Sequence, residues 1–203
     1  MFNSKTPTII LGHRAPFCEP FVSVAADDLE ASYQLTNHLL RLGHTRIAFL
    51  AGRPANPWAQ ERFEGYERAL RDAGLPTDER LVFSAGSSFD DGRQAARQLV
   101  GEGTCATALQ AVTDPVARGA ALTLFQHGLR IPEDISIAGF GDYPTSEPFH
   151  VPLTTVCEPK LSIGTFALEG MLRLLRGEQP ESRRLAGELV IRGSTAAPTR
   201  TTL

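Results

Sequence analysis

A chain of 203 residues, 42% hydrophobic and 21% charged, is long enough to bury a core and contains no apolar run of membrane-spanning length. Its formal net charge of −3 leaves it without the basic footprint of a protein that grips nucleic acid through this chain alone. The residues MFNSKTPTII lack the apolar core and cleavage site of a secretory signal, and the odd cysteine count (Cys18, Cys105, Cys157) shows no metal-ligand spacing, so the thiols read as reduced, in a cytoplasmic protein.

Taken in order, Thr8 to Leu11 reads as a short strand, Gly12 to Pro20 as a loop, and Val22 to Ala25 as a second strand. A helix starts at Asp27, with Glu30 placed as in a capping box. Its inward face is Ala31, Leu35, Leu39 and Leu42, and Gly43 stops it as a left-handed cap. Arg46 to Ala51 (RIAFLA) is the clearest buried strand. Ala59 to Ala73 follows as a helix with Phe63, Leu70 and Ala73 inward, closed by Gly74 and Pro76. Leu81 to Ser84 is a strand, and Ser88 with Asp91 caps a helix running to Val100. Ala108 to Val112 is the next strand. Asp114 then reads as a helix cap followed by Pro115 at the first helical position, with Val116, Ala120 and Leu124 buried and Gly128 at the end.

The stretch Ile131 to Val156, IPEDISIAGFGDYPTSEPFHVPLTTV, organises the rest. Ile135, Ile137, Ala138 and Phe140 make a buried strand bounded by Pro132 and by Gly139, Gly141 and Pro144. A loop then carries Asp142, Tyr143 and Glu147 at the strand's carboxyl end, and a second short strand closes the stretch. Pro159 opens a long helix with Leu161, Leu168, Leu172 and Leu175 expected inward and Gly177 as its stop. Glu188 to Arg192 is a last strand, and TAAPTRTTL is an expected frayed tail. Strands and helices alternate about every 25 to 30 residues, which predicts an α/β fold with a doubly wound parallel sheet.

In such a sheet the loops after Ala51, Ser84, Val112 and Phe140 open on one edge, where ligands bind. Trp58, Arg62, Phe89, Asp114, Asp142 and Tyr143 collect there. A guanidinium and carboxylates bind vicinal hydroxyls, and flat rings cover an apolar ligand face, a mixture suited to a sugar or nucleoside. Blander roles stand beside these: Asp114 as a helix cap, which the sequence alone favours, Arg62 as a solvated or ion-paired residue, Phe89 as a hydrophobic staple, and Asp142 bonded to its own loop. No nucleophile elbow, P-loop or dinucleotide fingerprint is present and the histidines are scattered, so no enzyme, metal or cofactor is expected.

Several ordered stretches resemble the lactose-repressor/galactose-repressor family of bacterial transcription regulators: NHLLRLGHTRIAFLAG (37–52), ERFEGYERALRDAGL (61–75), TDPVARGA (113–120), IPEDISIAGFGDYP with PLTTV (131–144, 152–156) and LVIRGST (189–195). The resemblance runs from about Thr8 to Pro198. It implies a periplasmic-binding-protein-like, two-lobe architecture with an effector between the lobes. It places one complete lobe at 44–157 with 188–198, a partial lobe at 1–43 with 158–187, a tail at 199–203, and chain crossings near Leu42–His44, Val156–Pro159 and Gly187. It also implies an N-terminally truncated member whose helix-turn-helix headpiece is absent, so that operator DNA is met only through that headpiece. A homodimer is implied as well, with no membrane partner. By position it makes Arg62 the effector-binding arginine, Phe89 the aromatic after the next strand, Asp114 the aspartate of an Asn-Asp pair whose Asn is Thr113 here, and Glu30 an acidic contact. The family's Gly-aromatic-Asp becomes Gly139-Phe140-Gly141-Asp142, which shifts the acid by one residue. The expectation is the effector-binding region of a repressor sensing a small polar metabolite, most simply a sugar. The alternatives are a sugar-binding transport component or an enzyme on the same fold. Replacing Arg62 by Ala is expected to abolish binding while leaving the fold intact.

Overall fold

The computed structural model describes residues 6–12, 21–144 and 151–199. The chain forms two compact units, 1–27 with 158–187 and 28–157 with 188–203. The first division falls ahead of the first helix, not at the expected crossing near Leu42–His44. Helix α1 (Asp28–Arg41) thus belongs to the larger unit, for a reason of packing. It runs along α2 (Pro57–Asp72), and Gly65 lets the two backbones approach so closely that a Cβ there would strike the Leu29 carbonyl.

In the larger unit, β3 (Ile47–Ala51), β4 (Val82–Ser84), β5 (Ala108–Ala111) and β6 (Ser136–Ala138) form a parallel sheet in the order β4-β3-β5-β6. Successive side chains of a strand point to opposite faces, so an apolar run needs cover on both. Ile47 and Phe49 pack with Leu39 of α1 and Tyr66 and Leu70 of α2. Ala48 and Leu50 pack with α3 (Phe89–Gly101) and α4 (Asp114–Gln126). Helices α3 and α4 cross on glycines: a Cβ on Gly92 would meet the Val116 carbonyl, and one on Gly119 the Phe89 carbonyl. The sheet continues past β6 through an Ala138–Thr154 bridge. The Gly139 and Gly141 amides donate to the Thr154 and Val156 carbonyls at 2.9 and 2.8 Å. Beyond it, β7 (Thr155–Cys157) pairs antiparallel with β9 (Glu188–Val190).

The smaller unit has β1 (Ile9–Leu11), β2 (Val22–Ala26) and β8 (Arg183–Leu185) in a parallel sheet ordered β1-β2-β8, with α5 (Lys160–Leu175) against it. Here the expected helix face is reversed. Leu161, Leu168, Leu172 and Leu175 are 86, 62, 46 and 66% exposed. The residue of α5 that is buried is Gly170, where a Cβ would press on the Ile9 side chain. The helix sits on the sheet by its smallest residue, with Ile163, Phe166, Ala167 and Leu174 half-buried around it.

Other expectations shift by local chemistry. In α2 the deepest residues are Tyr66 and Ala69, while Ala73 is exposed at the C-cap. Leu81 closes a single 3-10 turn (Glu79–Leu81) capped by Asp78. The Ser88–Asp91 capping box forms as read, and hydrogen bonds from the Ser88 hydroxyl and from the Ser88 and Ser87 amides hold the Asp91 carboxyl below the usual range. Cys105 is an exposed free thiol. Residues 13–20 of the expected Gly12–Pro20 loop, Cys18 among them, and Glu147 lie outside the described residues.

The segment expected to fray is fastened as far as Thr199. Buried Ser194 bonds the Ile137 carbonyl (2.6 Å) and the Thr154 amide (2.8 Å) through its hydroxyl, and its own carbonyl accepts from the Ile137 amide at 2.8 Å. The Thr199 hydroxyl donates to the Glu133 carbonyl at 2.7 Å. His44, fully buried, spans 2.8 Å from Nε2 to the Ala196 carbonyl and 2.9 Å from Nδ1 to the Thr107 hydroxyl. A carbonyl only accepts, so Nε2 carries the proton and Nδ1 takes the hydroxyl's. Burial lowers the His44 pKa below its ordinary value.

Candidate functional site

The connection leaving β3 runs to one side of the sheet and the connection leaving β5 to the other, so a crevice opens at their carboxyl ends. The loop after β3 leads into α2, whose first helical residue is Pro57, followed by Trp58. The loop after β5 leads through Val112 and Thr113 into α4.

Arg62, one turn into α2, is 5% exposed, so the solvated reading fails. Its Nε donates to the Asp28 carboxylate at 2.6 Å and its Nη1 to the Val112 carbonyl at 2.7 Å. The guanidinium carbon lies 3.6 Å from the Phe140 ring centroid and 4.9 Å from that of Trp58. An arginine held by two hydrogen bonds and two rings has its plane and its reach fixed. The same contacts overturn the expectation that removing it leaves the fold intact. Its loss removes the cation from the buried Asp28 carboxylate, which costs more than the pair itself contributes.

Asp114 is not the helix cap. Thr113 takes that place, its hydroxyl accepting from the Val116 amide at 3.4 Å, and Asp114 is the first helical residue. Its carboxylate accepts instead from the Thr155 hydroxyl at 2.6 Å and the Tyr143 amide at 2.9 Å. Its amide donates to the Phe140 carbonyl at 2.9 Å. Burial pushes the Asp114 carboxyl above its ordinary pKa, and the two hydrogen bonds it accepts oppose that rise. Gly139 is required here, since any Cβ would run into the Asp114 carboxylate. Phe140 therefore joins the two candidates, with its ring under Arg62 and its carbonyl on Asp114.

Asp142 has a left-handed backbone (φ 46), and its Oδ1 accepts from Arg192 Nη2 at 2.8 Å. Arg192 Nη1 donates to the Leu153 carbonyl at 2.9 Å, so one guanidinium ties the loop after β6 to the strand beside it. At position 141, where the family pattern carries its acid, φ is +124 and a Cβ would strike the Tyr143 ring. Two candidates remain, Phe89 and Glu30. Phe89 opens α3 half-buried behind the Ser88 cap. Glu30 accepts from Arg68 and Gln34, both at 3.3 Å, on the exposed side of α1 and α2. The sequence reading passed over Asp28, Phe140, Thr155 and Arg192 as parts of this arrangement. Asp28 was hidden beside Asp27 as helix-start chemistry, and Arg192 ends a strand with no local sign of its partner.

A family model described as a periplasmic binding protein-like domain matches residues 36–195. The HTH-type transcriptional repressor CytR of Escherichia coli K12 is 34% identical over 193 residues, which cover 94% of this chain and 56% of CytR. A LacI family transcriptional regulator from Mycobacterium smegmatis superposes with a TM-score of 0.86 at 33% identity, covering 96% of this chain and 72% of that one. The chain belongs to the LacI family. A further LacI family regulator, from Enterococcus faecium with bound ribose, matches with a TM-score of 0.82 at 30% identity over 93% of this chain and 70% of that one. The fold is thus the LacI-type periplasmic-binding-protein-like α/β fold, and the relatives are repressors and regulators rather than transport components or enzymes. The chain spans about half the length of the curated relatives it matches.

Proposed function

We propose that this chain is the effector-sensing part of a LacI-type repressor and that its effector is a small, uncharged polyol, a sugar or a nucleoside recognised by its ribose. The observation that carries this reading is the Arg62 guanidinium, buried and held flat against Phe140 by Asp28 and Val112 at the sheet's switch point. Arg62 is the anchoring donor to ligand oxygens, Trp58 supplies an apolar face, and Asp114 accepts from a ligand hydroxyl. Charge selects against phosphorylated ligands: Arg62 faces Asp28, and Arg192 faces Asp142, so neither cation is a surplus charge for an anion. Phe89, Glu30 and Asp142 belong to the outer part of this reading, as rim residues. Ligand shifts the repressor only by its different affinity for the two states of the protein. In the same reading the protein is cytoplasmic, works as a homodimer, and meets operator DNA through a helix-turn-helix headpiece.

The test is a thermal-shift series with pentoses, hexoses, disaccharides, nucleosides and sugar phosphates. A ligand that binds only the native state raises the melting midpoint by mass action. Arg62→Lys is the informative variant, because it keeps a cation beside Asp28 and removes the planar fork. A shift with one neutral class, lost in Arg62→Lys while the unliganded melt stays cooperative, is expected. A shift with sugar phosphates alone, or one that Arg62→Lys leaves unchanged, overturns the reading.

A further inference from the structure

Helix α1 carries a polar residue at every fourth position of its buried side. These are Asp28, Ser32 and Thr36, none more than 2% exposed. Beside them runs the apolar row that packs the helix, Ala31, Leu35 and Leu39. Against the polar row lies Gln110 of β5, 1% exposed, between Phe49 and Ala138 of the neighbouring strands. A buried amide costs stability unless it is hydrogen-bonded, and an apolar side chain would fill the same place without that demand. The Gln110 amide meets both hydroxyls. Its Nε2 lies 2.8 Å from Ser32 Oγ and its Oε1 lies 2.7 Å from Thr36 Oγ1.

The direction of this chain of hydrogen bonds follows from its last member. Ser32 Oγ stands 2.5 Å from the Arg62 carbonyl, which only accepts, so the single Ser32 hydroxyl proton points there. Ser32 Oγ then accepts from the Gln110 NH2 group, and Gln110 Oε1 accepts from Thr36. Donation therefore runs one way, from Thr36 through Gln110 and Ser32 to the backbone of Arg62.

We propose that Gln110 is a positioning residue for Arg62, acting through Ser32. Ser32 sets the arginine's backbone while Asp28 and the Val112 carbonyl set its guanidinium, so the side chain is held at both ends. Two of these holds come from α1, and Gly65 seats α2 on it, since a Cβ there would come within 2.9 Å of Ser32 Cβ. A planar fork that meets ligand oxygens in pairs needs its place fixed to about 0.5 Å. A buried trio with every donor assigned gives that precision, where apolar packing alone leaves room to slide. The proposal deepens the reading of Arg62 as the effector's anchor and rests on it for what the arginine is for. The hold itself is measured without an effector.

The test follows the arginine Nε–H signals of the intact, nitrogen-15-labelled chain by NMR, with that of Arg62 assigned by its disappearance in Arg62→Lys. In the wild type this proton, between Nε and the Asp28 carboxylate in a residue 5% exposed, is expected to exchange slowly with water. The triple variant Ser32→Ala/Thr36→Val/Gln110→Leu replaces the trio by apolar groups of similar shape and leaves no member unpaired, so its melt is expected to stay cooperative and close to the wild type's. Its Arg62 Nε–H is expected to exchange about tenfold faster or more. The emission of Trp58, the chain's one tryptophan, 4.9 Å from that guanidinium, is expected to shift with it. Ser32→Ala alone, which cuts the link to Arg62 at a helical position that favours alanine, is expected to change the same two signals. Folded variants in which the Arg62 exchange and the Trp58 emission stay as in the wild type overturn the proposal and leave the trio as core filling. So does a wild-type Arg62 proton that exchanges as fast as those of the exposed arginines. A thermal-shift series without a hit sinks the sensing role of Arg62 and leaves the hold of Gln110 on it standing.

Discussion

Helices α4 and α5 both carry an apolar stripe at helical spacing, and they use it in opposite ways. In α4, Val116, Ala120 and Leu124 are fully buried against the four-stranded sheet. In α5, four leucines of equal promise face out. Periodicity establishes that a helix has an apolar face; what covers that face is a property of the surroundings. Helix α4 meets a partner on each side, because glycines in α3 and α4 let their backbones touch and the sheet lies beneath. Helix α5 has one buried residue, Gly170, and it lies on the side that approaches the sheet.

That contrast can be broken or sharpened by substitution. The largest effect belongs to Arg62→Ala in α2, expected to lower unfolding free energy by about 3–5 kcal/mol in urea titrations, because it removes the cation beside the buried Asp28 carboxylate. Removing Asp28 as well is expected to restore part of that loss, since the two residues share one interaction. Leu124→Ala in α4 is expected to cost about 2–5 kcal/mol by the same measurement, as a truncation in a packed core. Ser88→Ala, which opens the capping box of α3, is expected to cost about 1 kcal/mol.

A shallower effect lies in pH. The folded chain holds His44 neutral, with its pKa lowered first by burial, whereas the unfolded chain protonates it at the ordinary 6.5. As pH falls through 6.5 the unfolded state takes up the proton first, so stability declines and levels off only below the folded pKa. His38, lowered first by burial as well, adds to the same slope. Melting curves between neutral and mildly acid pH are expected to show the decline, and His44→Gln to flatten it. Smallest of all, Leu172→Ala in α5 is expected to change the melt of the dilute chain by no more than about 0.5 kcal/mol. A core-sized loss there would place α5 alongside α4.

Most of the fold was legible from residues that act locally. Gly43, Gly74 and Gly128 end their helices with positive φ, as the sequence requires, and Ser88 and Asp91 box the start of α3. The apolar runs at 47–51 and 108–111 are central strands. What stayed hidden was set by distant partners. Asp114 looked like a cap because Pro115 follows it, yet Thr113 was one residue closer to the cap geometry, and Thr155 and Tyr143 supplied the donors. Asp28 meets Arg62 across 34 positions and Arg192 meets Asp142 across 50, separations at which no spacing rule operates. The helix placed in the first lobe went to the second because its stripe packs there, Leu39 with Phe49 and Tyr66 and Ala31 and Leu35 with Phe140 and Val156, and Gly65 of α2 lets it come close.

The buried Ser194 has a bearing on how the molecule comes into being. It joins β6 to the strand beside it through the Ile137 and Thr154 backbones, and it lies beyond the inserted segment 158–187. The larger unit is made of 28–157 and 188–203, with 30 residues of the other unit between them. On a ribosome, where synthesis runs from the first residue to the last, that unit has its sheet and four helices in hand long before Ser194 emerges. It must wait, one hydroxyl short of closure, until residues 158–187 of the other unit have been made. The order of translation thus makes closure of the larger unit follow synthesis of the segment inserted into it.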